Sequence, residues 1–472
     1  MKKFPLHWQI LVALILAVIF GSMFKTNYQI TPKAIEKFRD LELPEQMISE
    51  LEKIQFKNFT EKALFEKTLN EQIGKENVAP YKKVIIRQAY NNDPVRAISW
   101  MGDLFLRALK MLIIPLILAS IISGVSNIGS ADNLGRLGLK TISYYMLTSL
   151  LAIITGLLLV NIFQPGVGID RSLAESVDGL ILTDKTLGQT LIEIVPENIF
   201  TSFTNSHMLS IIFFAILFGF FISKTSDSHK RILSNFFNAL FDIMMKITLF
   251  VIKFTPLGIF GIVAKVVSEQ ADLWGLAQRM GVYMFVVILG LAIHMFATLP
   301  LLTRFIGKVR PFKHFNNMSS PLLTAFSTSS SGATLPLTIS AVENKSGVSQ
   351  KVSSFTLPLG ATINMDGTAL YECVAAIFIA QAYGMDLTIV QQIIIVITAL
   401  LASIGAAAIP MAGLVMITVI LSAIGLPLEG VGLILAVDRI LDMFRTSTNV
   451  WSDTCGAVII AKSEKEKLPI DL

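Results

Sequence analysis

Apolar runs long enough to cross about 30 Å of hydrocarbon recur along almost the whole chain, among them Trp8–Phe24, Ile142–Phe163, Met208–Ser223 and Gly281–Thr303. Each predicts a membrane-spanning helix, and no independent soluble catalytic domain fits between them. One stretch breaks the pattern. From Lys25 to Asn92 the chain is rich in Lys, Glu, Asn and Gln, with apolar residues at helical spacing, as in Ile48, Leu51 and Ile54. This predicts a soluble insertion, residues 25–92, between the first span (residues 1–24) and the second (93–135). Lys2 and Lys3 precede the first run and no small-residue cleavage pattern follows Phe20–Phe24, so we read a retained span with a cytoplasmic N-terminus. The insertion then lies outside the cytoplasm.

Two later stretches, residues 316–343 and 391–427, are hydrophobic yet interrupted by Gly, Pro, Ser and Ala. Their tips read Ser327-Thr328-Ser329-Ser330-Ser331-Gly332-Ala333-Thr334-Leu335-Pro336 and Ser403-Ile404-Gly405-Ala406-Ala407-Ala408-Ile409-Pro410-Met411-Ala412-Gly413. Irregular backbone at membrane depth survives where it is buried in protein or lines a cavity, so both predict re-entrant helical hairpins. Each precedes a long segment with an embedded acid at a similar offset: 30 residues separate Pro336 from Asp366, and 32 separate Pro410 from Asp442. Paired, interrupted segments in corresponding positions are the pattern of a transporter binding site built from inverted repeats. Two kinked helices in a bundle are the simpler alternative.

Composition agrees with a membrane protein: of 472 residues, 53% are hydrophobic and 15% charged, and the mean hydropathy is +0.65. The net charge of +5 comes from basic residues in short connections such as Arg304–Lys313 and Lys462–Lys467, a positive-inside pattern rather than a nucleic-acid surface. Cys373 and Cys455 lie in apolar segments and read as small hydrophobic residues. Five scattered histidines (His7, His207, His229, His294, His314), with no His-Glu-x-x-His motif, phosphate loop or nucleophile–base pair, speak against an enzyme.

Polar residues inside the apolar segments carry the chemistry. Val352–Gln381 is apolar except around Thr362-Ile363-Asn364-Met365-Asp366-Gly367-Thr368, then Tyr371 and Glu372. Asn, Asp and Gly in that order would break a helix and turn oxygens into one small space, which suits a hard cation. The last span, residues 431–461, carries Asp438, Asp442, Arg445, Thr446, Asn449 and Asp453 at helical spacing on one face. Such a stripe faces the bundle interior or a water-filled path. An acid neutralising Arg445 explains part of it. An amino acid ligand explains more: Asp442 suits an α-ammonium, Asn449 adds a hydrogen bond, and Arg445 is the planar donor for a side-chain carboxylate. Backbone N–H groups near Ser331 suit the α-carboxylate.

With these motifs together, the chain resembles the dicarboxylate/amino acid:cation symporter family of glutamate and aspartate transporters, over nearly everything but residues 25–92. The resemblance rests on the Ser-rich tip, GATINMDGTALYE at Gly360–Glu372, SIGAAAIPMAG at Ser403–Gly413 and DRILDMFRTSTNVWSD at Asp438–Asp453. It implies an all-α membrane protein with eight transmembrane helices plus two re-entrant hairpins, inverted repeats, and an elevator-type fold in a homotrimer of the cell (inner) membrane. The third span (136–165) and residues 275–472 would form the transport domain. The first and second spans, with the fourth and fifth (190–270), would form the scaffold and trimer contacts. Substrate contacts carried over are Ser331, Thr368, Gly413, Asp442, Arg445, Thr446 and Asn449, with the second hairpin as the gate. Sodium would sit with Gly360, Asn364, Asn449 and Asp453; with Thr362, Ser403, Ile404 and Ala406; and with Tyr145, Thr148, Ser149, Asn364 and Asp366. Glu372 stands where proton-coupled members have an acid. Met443 and Ser329 stand where animal and archaeal members carry an arginine, so potassium counter-transport does not follow from the resemblance. Membrane lipid and an acidic amino acid are the expected partners, nucleic acid is not, and carriers of cystine, neutral amino acids or C4-dicarboxylates are the alternatives.

Overall fold

The computed structural model describes residues 6–60, 62–128, 132–168, 192, 194–205, 207–270, 272–405 and 412–472. Within them the chain is helical apart from one pair of two-residue strands. Among the described residues, five helical stretches are long and apolar enough to cross a membrane: Asp93–Ser126, Arg136–Phe163, Asp227–Ile252, Leu273–Phe305 and Gln350–Ala382.

After α1 (Leu6–Met23), the predicted insertion folds as a module. Strand β1 (Asn27–Tyr28) leads into α2 (Pro32–Asp40), α3 (Glu45–Lys53), α4 (Lys62–Ile73), α5 (Lys75–Val78) and α6 (Lys82–Ala89), and β2 (Tyr90–Asn91) closes it. Thr31 caps α2, its side chain accepting from the Ala34 N–H, with Pro32 in the first turn. The apolar positions at helical spacing, Ile35, Phe38, Ile48 and Leu51, meet Tyr28, Phe65 and Leu69 in a core of the module's own. The strands pair antiparallel, Asn27 opposite Asn91, so the module starts and ends at one point. A polar knot fixes that point to the helices beneath. Lys25 Nζ donates to the Gln270 carbonyl (2.8 Å), the Thr26 and Ser268 hydroxyls are 2.9 Å apart, and Asn92 Nδ2 donates to the Phe24 carbonyl (2.7 Å). Residues 29–89 are therefore expected to be replaceable by Asn-Gly, a two-residue hairpin turn, without loss of the remaining fold. Melting temperature and elution volume of the purified protein check this; an aggregated product would make the module part of the membrane fold.

Two helix groups follow. In one, α1, α7 (Asp93–Ile128), α10 (Met208–Lys224), α11 (Asp227–Ile252) and α12 (Thr255–Glu269) pack around α7, with the short α9 (Ile199–Thr204) against α10. Backbones touch where α7 crosses α12: a Cβ on Gly261 would lie 2.7 Å from the Gly102 nitrogen. The other group comprises α8 (Asp132–Phe163), α13 (Leu273–Ile293), α14 (Leu299–Phe305), α15 (Pro311–Asn317), α16 (Ser319–Thr328), α17 (Ser331–Ser346), α18 (Gln350–Ile363), α19 (Asp366–Ala382), α20 (Ile389–Gly405), α21 (Ala412–Ile424) and α22 (Val431–Ser463). They gather around α19 and α22. At the end of α22, Glu464 accepts from Lys140 (2.7 Å) and Arg136 (2.6 Å), and these hydrogen bonds, Lys140 first, hold its carboxyl below the ordinary range. Glu466 accepts from the backbone of Ser349, the residue that caps α18 (3.0 Å). The tail thus ties α8, α18 and α22 at one end.

Two of the three interruptions that the sequence predicts fall among the described residues, and both lie at helix boundaries. Asn364 and Met365 separate α18 from α19. Between α16 and α17 the break is narrower than the Ser327–Pro336 tip: Ser329 takes the left-handed conformation (φ 50°), Ser330 caps α17, and the helix runs on through Pro336. α20 and α21 pack side by side, and the tip that joins them, residues 406–411, lies outside the described residues. Both cysteines are buried and free.

Candidate functional site

The break at Asn364 and Met365 brings oxygen atoms together from three directions. Asp366, the first residue of α19, is fully buried and accepts from Ser149 Oγ (2.6 Å) and Thr148 Oγ1 (3.2 Å) on α8, and from Ser452 Oγ (2.6 Å) on α22. Asn364 donates to Asp453 Oδ1 (2.9 Å) and to Ser452 Oγ (3.0 Å). Tyr145 donates to the Thr356 carbonyl (2.7 Å), and its hydroxyl and Asp453 Oδ1 both crowd the bare Cα of Gly360. Of the predicted cation residues, Tyr145, Thr148, Ser149, Gly360, Asn364, Asp366 and Asp453 therefore share one buried, oxygen-rich region.

One turn along α19 and α22 lies a second cluster. Arg445, fully buried, donates from Nη2 to Asp442 Oδ1 (2.8 Å) and lies 3.1 Å from Asp438 Oδ1. Tyr371 donates to Asp438 Oδ1 (2.7 Å), and the guanidinium lies over its ring at 3.8 Å. Arg439 approaches the second oxygen of Asp442 at 3.4 Å. Both acids thus pair with Arg445, whereas sequence reasoning had left Asp442 open for a ligand ammonium. Arg445 Nε and Nη1 have no acceptor among the described residues. The bare Cα of Gly413, at the start of α21, faces Nη1. Asn449 holds the first turn of α19: Nδ2 donates to Thr368 Oγ1 (3.1 Å) and Oδ1 accepts from the Gly367 N–H (2.7 Å). Thr446 is buried beside them, and Ser331, the first residue of α17, donates to the Ala361 carbonyl (3.2 Å).

The remaining predicted residues divide. Ser403 is buried and donates back to the Leu400 carbonyl, and the backbone of Ile404 lies in the last turn of α20, which packs on α18. Thr362 turns an exposed side chain to its own helix. Ala406 lies outside the described residues. Glu372 is fully buried on α19, and neither carboxyl oxygen has a partner among the described residues. Sequence reasoning missed His294. Its Nε2 lies 3.0 Å from Asp366 Oδ2, in a π-helical turn between α13 and α14, both side chains fully buried. A lone histidine in an otherwise apolar span was the available signal.

The sodium:dicarboxylate symporter family model matches residues 6–463. The chain belongs to that family. Members are symporters, so the protein is a transporter and not an enzyme. Among its relatives, excitatory amino acid transporter 3 of Oryctolagus cuniculus is 38% identical over 421 residues, covering 78% of this chain and 80% of the relative. The proton/glutamate-aspartate symporter of Escherichia coli (strain K12) is 36% identical, covering 78% and 86%, and the proton/sodium-glutamate symport protein of Bacillus caldotenax is 35% identical, covering 79% and 90%. For a symporter, the two clusters have a plain chemical division. One gathers neutral and anionic oxygens, and the other holds an arginine flanked by two acids.

Proposed function

We propose that this symporter couples the entry of L-glutamate or L-aspartate to sodium, and that protons enter the cycle through Glu372. The carrying observation is Arg445: a buried guanidinium in the last helix, whose Nε and Nη1 have no acceptor among the described residues and whose Nη1 faces Gly413. Arginine is the side chain suited to planar recognition of a carboxylate, and the matched relatives are named for glutamate and aspartate. In this reading Arg445 takes the side-chain carboxylate and Asp442 the α-ammonium. Thr368, Thr446 and Asn449 orient the substrate, and N–H groups at Ser331 take the α-carboxylate. Sodium is held by Gly360, Asn364, Asn449 and Asp453, by Tyr145, Thr148, Ser149, Asn364 and Asp366, and by backbone oxygens at Thr362, Ser403, Ile404 and Ala406. The hairpin tip carrying Gly413 closes over the substrate.

Elevator-type alternating access, with eight spans and two re-entrant hairpins, completes the proposal. The group around α19 and α22 is the moving transport domain and the group around α7 the scaffold, in a homotrimer of the cell inner membrane. A seam on α11 supports the trimer: Asn235, Ala239, Asp242, Lys246 and Leu249 recur at alternating steps of four and three, and Asp242 and Lys246 are exposed on an apolar span. Charges there favour protein over lipid as the neighbour.

Uptake of labelled aspartate and glutamate into proteoliposomes tests the reading. Accumulation is expected with an inward sodium gradient and not with choline or potassium in its place; accumulation of cystine or neutral amino acids alone would refute the substrate class. Glu372 gives a separate expectation. An ionised carboxylate with no donor is costly at this depth, so the side chain carries a proton until a carrier movement opens it to water. Glu372→Gln is expected to flatten the pH dependence of uptake, and an unchanged pH profile would remove Glu372 from the cycle.

A further inference from the structure

Away from both clusters, the start of α13 carries a groove of about 620 Å³ lined by Phe163, Gln278, Arg279, Gly281, Val282 and Phe285. Its wall is fixed. The turn after α8 is pinned where the Gly166 N–H donates to Gln381 Oε1 (3.1 Å), and Gly168 follows in a left-handed conformation (φ +85°). The Arg279 guanidinium seats on Gly168, with Nη2 2.9 Å from where a Cβ would stand. Arg279 makes no hydrogen bond or ion pair with another described residue. Opposite it, the Phe163 and Phe285 rings meet edge to face, 5.6 Å apart, and both are exposed. A Cβ on Gly281 would meet nothing within 4 Å, so the groove is open at its apolar end.

The order of these residues along the helix decides the occupant. Exposed Trp274 marks the start of the span, where aromatic side chains sit at the headgroup layer. Arg279 is about 7.5 Å further along the axis, at the inner edge of that layer, and Gly281, Val282 and Phe285 lead on into hydrocarbon. A cation above an open apolar channel matches a molecule with an anionic head and a hydrocarbon tail. We propose that this groove binds a membrane glycerophospholipid, its phosphate on Arg279 with Gln278 at the headgroup and one acyl chain along Gly281–Phe285. This site is independent of the amino acid site and of its assignment.

The purified, delipidated full-length protein in neutral detergent provides the test, with phosphatidylglycerol titrated and retained lipid per protomer counted by native mass spectrometry. Arg279→Gln is expected to weaken retention roughly fivefold, the ratio that one basic residue near a membrane surface contributes. Gly281→Trp, which fills open space, is expected to abolish it while leaving the lipid-free melting temperature unchanged. Dioleoylglycerol, with no phosphate, is expected to be retained about fivefold more weakly than phosphatidylglycerol by wild type and equally by wild type and Arg279→Gln, and inorganic phosphate, with no chain, to bind neither. Equal retention of phosphatidylglycerol in wild type and Gly281→Trp would overturn the proposal, as would binding of inorganic phosphate alone at the same concentration.

Discussion

Arg445→Cys is expected to abolish sodium-driven uptake of aspartate and glutamate and to create uptake of small neutral amino acids such as serine. Removing one partner of a buried, hydrogen-bonded charge pair costs about 2–5 kcal/mol, which is roughly a 30- to 5,000-fold loss of affinity for the acidic substrate. The substitution leaves neither acid stranded, since Asp438 keeps the Tyr371 hydroxyl and Asp442 keeps Arg439. The variant should therefore fold, and in the proposed site Asp442 would still be there for the substrate's α-ammonium. Competition of unlabelled serine and aspartate for labelled uptake in proteoliposomes measures both halves. Aspartate transport that survives at the wild-type level would show that Arg445 serves only to neutralise its two acids.

Much of this geometry was legible from the chain because membrane-embedded polarity is expensive. Asn364, Asp366 and Gly367 stand in an apolar segment, so a helix break there was the economical reading, and the structure ends α18 and starts α19 on either side of Asn364 and Met365. The insertion announced itself by composition, and its apolar spacing became the module's core. What stayed hidden depends on long-range pairing. His294 and Asp366 are 72 positions apart, and no local periodicity links them. Ser452 could be read as an ordinary serine of the last span until α22 brought it to the same carboxylate. Tyr145, Thr148 and Ser149, at helical spacing on α8, carried no signal of their own beyond the family resemblance. The self-pairing of Asp438, Arg445 and Asp442 was one of two readings of the same stripe; spacing placed the residues on one face and left the partners open. Local sequence marks where a membrane helix is interrupted, and packing chooses which polar groups meet there.

Gly360→Ala is expected to separate cation binding from the rest of the fold more sharply than loss of any single oxygen. Gly360 sits in α18 in ordinary helical backbone, so alanine suits its conformation and the effect comes from space alone. The added methyl would stand 2.5 Å from Asp453 Oδ1 and 2.7 Å from the Tyr145 hydroxyl, closer than carbon and oxygen can approach. Neither neighbour is a free end: Asp453 is held by Asn364, and Tyr145 by the Thr356 carbonyl. Relief therefore displaces two oxygens of the proposed sodium cage together. Overpacking of this kind costs about 1–3 kcal/mol, so the sodium concentration for half-maximal uptake should rise roughly 5- to 150-fold. Aspartate affinity measured at saturating sodium should recover towards wild type, because Arg445 and Asp442 are untouched. The sodium dependence of labelled aspartate binding to the purified protein decides the matter. A sodium response identical to wild type would place the cation elsewhere, whereas a loss of aspartate binding that no sodium concentration restores would mean that the methyl disrupts α22 rather than the cage.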